Sequence, residues 1–128
     1  SRAVALLTTF GVRDLADREY GTLSEGERKR VQISRALMAD PKMLLLDEPF
    51  AGVNPTLVEK LLTVLAALRK EQSITFLLIE HDLETVMNIS DRVIVMADGK
   101  IIADGLPNSI YENDVVIDAY LGSRRKDA

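Results

Sequence analysis

Two consecutive carboxylates close the run Leu44-Leu45-Leu46-Asp47-Glu48-Pro49. A buried parallel strand ending this way delivers both acids to its carboxyl end, where α/β folds bind ligands. Consecutive side chains of an extended chain point in different directions, so the two acids suit two tasks. One can hold Mg²⁺, an ion that takes few carboxylates and keeps its waters. The other can orient and deprotonate an attacking water. The plainer alternative is that acids merely end a strand.

A second cluster is Leu23-Ser24-Glu25-Gly26-Glu27. Ser24 and Glu27 have the S-x-x-E spacing of a capping box, which predicts a helix start. Helix starts offer free amides and a positive dipole end, and Gly26 lets an anion approach the backbone closely. Arg28, Lys29, Arg30 and Arg35 make this the most basic stretch of an acidic chain. The competing reading is a plain cap with a solvated basic face. The third candidate is His81, the only histidine, within Ile79-Glu80-His81-Asp82. An imidazole there can donate to a phosphate oxygen or organise a water, or can be incidental. One histidine cannot build a His-rich metal site.

The elements that must position these residues follow from periodicity. Residues 2–10 read as the end of an apolar helix and 12–17 as a short helical turn, with Tyr20-Gly21-Thr22 breaking the pattern. A helix is expected over 25–39, closed by Asp40-Pro41. Met43–Asp47 and 74–79 read as buried strands. Between them, 49–55 is loop and 56–71 has helical apolar spacing at Leu57, Leu61, Leu62, Leu65 and Leu68. Two apolar strands joined by a helix indicate a βαβ unit in a parallel sheet, with the ends at Asp47 and His81 close in space. A helix over 82–89 follows, then strands 92–97 and 100–104 around Asp98-Gly99, a strong hairpin signal. Short helices over Pro107–Tyr111 and 115–121 and a frayed polar tail over 123–128 complete the chain.

The 128 residues are 47% hydrophobic and 28% charged, with a formal net charge of −4. That length and composition support a real core and exclude a disordered chain or a disulfide mini-protein. The acidic balance argues against a protein living on nucleic acid or anionic membrane. The absence of cysteine excludes disulfides and thiolate metal sites. No apolar run comes near the ~18–20 residues that a membrane helix needs, and no signal peptide is visible, so an intracellular soluble protein is expected.

Leu-Ser-x-Gly, a strand ending Asp-Glu-Pro and a later Glu-His-Asp, in this order over Ser24 to Asp82, resemble the signature motif, Walker B and switch histidine of ATP-binding cassette (ABC) ATPases. The Ser-Arg-Ala-Leu and Ser-Asp-Arg-Val-Ile-Val-Met stretches fit as well. The resemblance implies the P-loop NTPase fold, with ATP and Mg²⁺ as cofactors. It implies Asp47 at the Mg²⁺, Glu48 as general base and His81 at the γ-phosphate. Ser24, Gly26 and Glu27 would face the phosphate of a nucleotide held by the opposite subunit of a homo- or heterodimer. Residues 51–54 would cross the dimer interface, with Asn54 among the nucleotide-side positions. Glu25 and Glu27 replace the family's usual Gly and Gln. Repulsion from a phosphate predicts that Glu25 points outward, favourably near the helix dipole. Asn54 replaces a common Asp.

Ala51-Gly52-Val53-Asn54-Pro55, Leu78-Ile79-Glu80-His81-Asp82 and Val116-Ile117-Asp118-Ala119-Tyr120-Leu121-Gly122 are similar to ATP-binding subunits of branched-chain amino acid importers. Such subunits imply transmembrane permease partners and a place on the cytoplasmic face of the membrane.

No G-x-x-x-x-G-K-[ST] occurs in the 128 residues, so the phosphate cradle and its lysine are not supplied here. The adenine-stacking aromatic and the Q-loop glutamine have no counterpart either. Residues 1–122 are therefore expected to be the C-terminal half of such a domain, truncated at Ser1. The alternatives are an inert module that offers its signature helix to an intact cassette, and the ATPase of a lipid or polysaccharide exporter. The purified 128-residue chain is expected neither to bind ATP tightly nor to hydrolyse it; a measured Mg·ATP turnover overturns that.

Overall fold

The computed structural model describes residues 1–120, in two compact units, Ser1–Glu80 and one from His81 onward. The tail over 123–128 and the last residue of the helix expected over 115–121 lie outside the described residues. No helix among them is long and apolar enough to cross a membrane.

In the first unit, helix α1 (Arg2–Thr9) is capped by Ser1, whose hydroxyl accepts from the Val4 amide. Short 3₁₀ turns at Arg13–Leu15 and Tyr20–Thr22 lead to α2 (Glu25–Leu37). Strand β1 (Met43–Asp47), helix α3 (Pro55–Gln72) and strand β2 (Thr75–Ile79) form the expected βαβ unit. The two strands pair in parallel, with Leu44 opposite Phe76 and Asp47 opposite Ile79. Leu44 and Leu46 pack with Ile33 and Leu37 of α2 and with Leu61, Leu65 and Leu68 of α3. Those α3 positions recur at one helical face, which is why the helix lies on the sheet.

Two expectations change. Helix α2 stops at Leu37 rather than at 39. The amides of Met38, Ala39 and Asp40 bond three residues back, the Arg2 guanidinium donates to the Leu37 carbonyl, and the chain leaves through Asp40 at φ +51°. The strands are buried on one face only: Leu45 is 59% exposed and Met43, Leu77 and Ile79 are also open. A continuous apolar run reads as burial on both faces, yet packing here covers alternate residues.

The second unit carries α4 (Leu83–Ile89), the hairpin β3 (Val93–Ala97) and β4 (Lys100–Gly105), α5 (Pro107–Tyr111) and α6 (Asp114–Tyr120). Asp98 and Gly99 both have positive φ, +49° and +74°, as a two-residue turn matching strand twist requires. The register slips beyond Val95, where Met96 faces Ile101. Arg92 grips Asp104 through two hydrogen bonds of 2.8 and 2.6 Å, which holds that carboxyl below its ordinary pKa. Val93, Val95, Ile110 and Val116 form the core.

Leu37 is 1% exposed in the first core, and Leu37→Ala is expected to cost about 2–5 kcal/mol in denaturant unfolding. Leu45→Ala, on the open face, is expected to cost no more than ~0.5 kcal/mol by the same measurement.

Candidate functional site

The turn after β1 is the most constrained backbone around the predicted site. Asp47 ends the strand with an exposed side chain, and Glu48 adopts φ +44°, a left-handed conformation in a residue that carries a Cβ. Such a conformation costs on the order of 1–3 kcal/mol and persists where its surroundings over-determine it. The Glu48 amide donates to the Ile79 carbonyl at 2.9 Å, and the Glu48 carbonyl accepts from the Ala51 amide at 3.2 Å. The Lys29 ammonium donates to the same carbonyl at 2.7 Å. Two residues on, the Phe50 amide donates to the Glu80 carboxylate at 3.1 Å. The parallel pairing of Asp47 with Ile79 is what sets Glu48 and Glu80 beside one another at the carboxyl end of the sheet.

At the start of α2 the capping box forms as expected. The Ser24 hydroxyl accepts from the Glu27 amide at 3.3 Å, and the Glu27 carboxylate accepts from the Ser24 amide at 2.8 Å. That backbone donor is the main reason the Glu27 carboxyl sits below its ordinary pKa. With the Glu27 amide engaged, the amides of Glu25 and Gly26 are those that a helix start leaves open. A Cβ at Gly26 would meet only Leu57 and Val53, at 3.8 and 3.9 Å. Packing within the chain therefore does not require glycine there.

Two arginines of the basic run reach carbonyls of the chain itself. Arg28 donates to the Leu23 and Gly21 carbonyls and lies over the Tyr20 ring. Arg30 donates to the Gly26, Phe10 and Gly11 carbonyls. These bonds tie the start of α2 to the segments that precede it. Glu25 is exposed, as expected, but its carboxylate turns toward the following loop: a Cβ at Gly52 would lie 2.7 Å from Oε2. Gly52 also has φ +69°, a conformation that strains any side chain placed there. Asn54 caps α3 by accepting from the Thr56 amide at 2.9 Å. His81 is exposed, follows Glu80 directly, and opens the second unit.

Sequence reasoning missed the roles of Lys29 and Glu80. Each acts on a residue far along the chain, 19 and 30 positions away, and no local pattern announces such a contact. As for a metal, no group of three or more potential ligands gathers among the described residues. The donor set fits a Mg²⁺ that takes one carboxylate, from Asp47, and completes its shell with water and phosphate oxygens.

Residues 1–51 match the family model described as ABC transporter. The chain is 45% identical over 116 residues to the high-affinity branched-chain amino acid transport ATP-binding protein BraF of Pseudomonas aeruginosa, covering 91% of this chain and 46% of that protein. It is 37% identical over 125 residues to the lipopolysaccharide export system ATP-binding protein LptB of Haemophilus influenzae, covering 98% and 52%. Among solved structures it is similar to the ADP conformation of MJ1267, an ATP-binding cassette of an ABC transporter. There the TM-score is 0.80 at 39% identity, over 94% of this chain and 49% of that one. The chain thus spans about half the length of the relatives it matches.

The lowered Glu27 pKa means the capping box is intact above the ordinary carboxylate range and is lost as pH falls through the folded value. Hydrogen exchange is expected to show the Ser24 amide protected at neutral pH and losing protection below pH 4.5, the ordinary value for the group. Glu27→Gln, which keeps an acceptor oxygen, is expected to remove that acid dependence.

Proposed function

We propose that this chain is part of an ABC transporter ATP-binding cassette, and that its Asp47–Glu48 turn is the water-activating part of an ATPase site that drives import of branched-chain amino acids. The observation that carries this reading is Glu48 itself, locked in a left-handed turn beside Asp47 at the carboxyl end of a parallel strand. A flexible surface acid would not be held that way.

In this reading Asp47 holds Mg²⁺ directly or through water. The ion, when bound with ATP, neutralises charge on the phosphate oxygens. Glu48 accepts a proton from water as the water oxygen attacks the γ-phosphorus and the bond to the β,γ-bridging oxygen breaks. His81 contacts the γ-phosphate and helps to align it. The amides of Glu25 and Gly26, with the Ser24 hydroxyl and the Glu27 end of the helix, face the phosphate of a nucleotide held by a second ATPase subunit. Asn54 holds the loop that meets that subunit, by capping α3. Glu25, turned over Gly52, keeps its charge from opposing the phosphate. The pocket for ATP in cis requires a phosphate loop that these 128 residues do not encode. Permease subunits would seat the protein on the cytoplasmic face of the membrane.

The relative at 45% identity that serves branched-chain amino acid transport supports the importer. The relative at 37% identity named for lipopolysaccharide export keeps an exporter as the second reading. Stimulation of ATP turnover by a branched-chain amino acid with its binding protein and permeases separates them, and an exporter shows no such response.

In the ATP-hydrolysing protein that carries this chain, Glu48→Gln is expected to abolish turnover while nucleotide-bound dimers persist; unchanged hydrolysis sinks the role of Glu48. Gly26→Ala is expected to be stability-neutral or to stabilise by up to ~1 kcal/mol, since alanine is the better helix former. Its turnover should nonetheless fall by about tenfold or more, because the methyl stands where the phosphate approaches.

A further inference from the structure

We propose that Lys29 is a positioning residue for Glu48, so that the seating of α2 sets the alignment of the general base; this rests on Glu48 being that base. Lys29 lies five residues beyond Ser24 on α2, half-buried beside Asp47 and Pro49 in a hollow of about 190 Å³ between the helix and β1. Its ammonium is 2.7 Å from the Glu48 carbonyl oxygen, the short distance of a charge-assisted hydrogen bond. The target is the peptide group of a residue at φ +44°. A left-handed residue with a side chain holds its conformation only by external contacts, and relaxing it swings the Cβ to a new direction. The Ile79 carbonyl and the Ala51 amide grip Glu48 from the sheet and from its own turn. Lys29 grips it from the helix whose first turn carries Ser24, Gly26 and Glu27.

One rigid rod therefore has an anion-receptive end and, a turn and a half along, a cation on the peptide of the base. A phosphate engaging the open amides of Glu25 and Gly26 pulls on the same helix that carries the Lys29 ammonium. Through that link Glu48 is best aligned when the start of α2 is occupied. Arg28 and Arg30 are directed elsewhere, donating to the Leu23, Gly21, Gly26, Phe10 and Gly11 carbonyls.

The test compares Lys29→Met and Lys29→Arg in the ATP-hydrolysing protein that carries this chain, with Glu48→Gln alongside. Lys29→Met keeps the aliphatic stem and removes the charge. It is expected to lower kcat on the order of tenfold with KM for ATP unchanged, the signature of a misplaced reacting group. Lys29→Arg is expected to restore most of the rate, and exchange of the Ala51 amide, bonded to the Glu48 carbonyl, is expected to quicken in Lys29→Met. An unchanged kcat in Lys29→Met while Glu48→Gln is inactive overturns the positioning role and leaves the base reading intact. A loss accompanied by a lowered Tm and not rescued by arginine also overturns it. Full turnover in Glu48→Gln overturns the base reading, and the positioning role with it.

Discussion

The left-handed peptide at Glu48 is the constraint around which the first unit is arranged. The chain must leave a parallel strand, turn sharply, and enter a loop leading to α3, all within the residues between Asp47 and Asn54. It does so at φ +44°, where a non-glycine residue is disfavoured unless neighbouring groups hold it. Three elements converge to do this: β2 through the Ile79 carbonyl and the Glu80 carboxylate, α2 through Lys29, and the turn itself through Ala51. The strain is local, and the means of holding it are distributed.

The same economy recurs across the site. Ser24, Glu27, Arg28, Arg30 and Asn54 all use their polar atoms on backbone amides or carbonyls at element ends. The bonds of Ser24, Glu27 and Asn54 satisfy amides that a helix start leaves open. Together they fix where α2 and α3 begin, so the amides at the start of α2 and the carboxylates at the end of β1 sit on rigid supports. Side chains placed by rigid elements hold a reactive geometry more closely than those on free loops. No buried side-chain nitrogen or oxygen among the described residues lacks a partner.

Much of this was legible from local pattern. The strand Met43–Asp47, the capping box at Ser24 and Glu27, the hairpin turn at Asp98-Gly99 and the helix Pro107–Tyr111 stand where periodicity and turn chemistry put them. The parallel pairing followed from two apolar strands around a helix. The reading failed where the outcome depended on what lies alongside. A buried strand is expected from the apolar run of β1, and among the described residues only Leu44 and Leu46 of it lie in the core. At the basic start of α2, no local pattern announced that Arg28 and Arg30 reach the Leu23 and Phe10 carbonyls.

By itself the sequence determined the element types and their order, because caps, turns and apolar periodicity act over a few neighbouring residues. It also determined which residues carry charge and the proton-accepting groups offered at Asp47, Glu48 and His81. Only the tertiary structure decided how those groups are held. The lysine on the Glu48 carbonyl and the carboxylate on the Phe50 amide bridge separations of 19 and 30 residues. They exist because α2 and β2 both pass the end of β1. The direction of Glu25 toward Gly52 and the left-handed turn at Glu48 have the same origin. They are set by the packing of distant segments against one another, and that packing leaves no mark in the spacing of neighbouring residues.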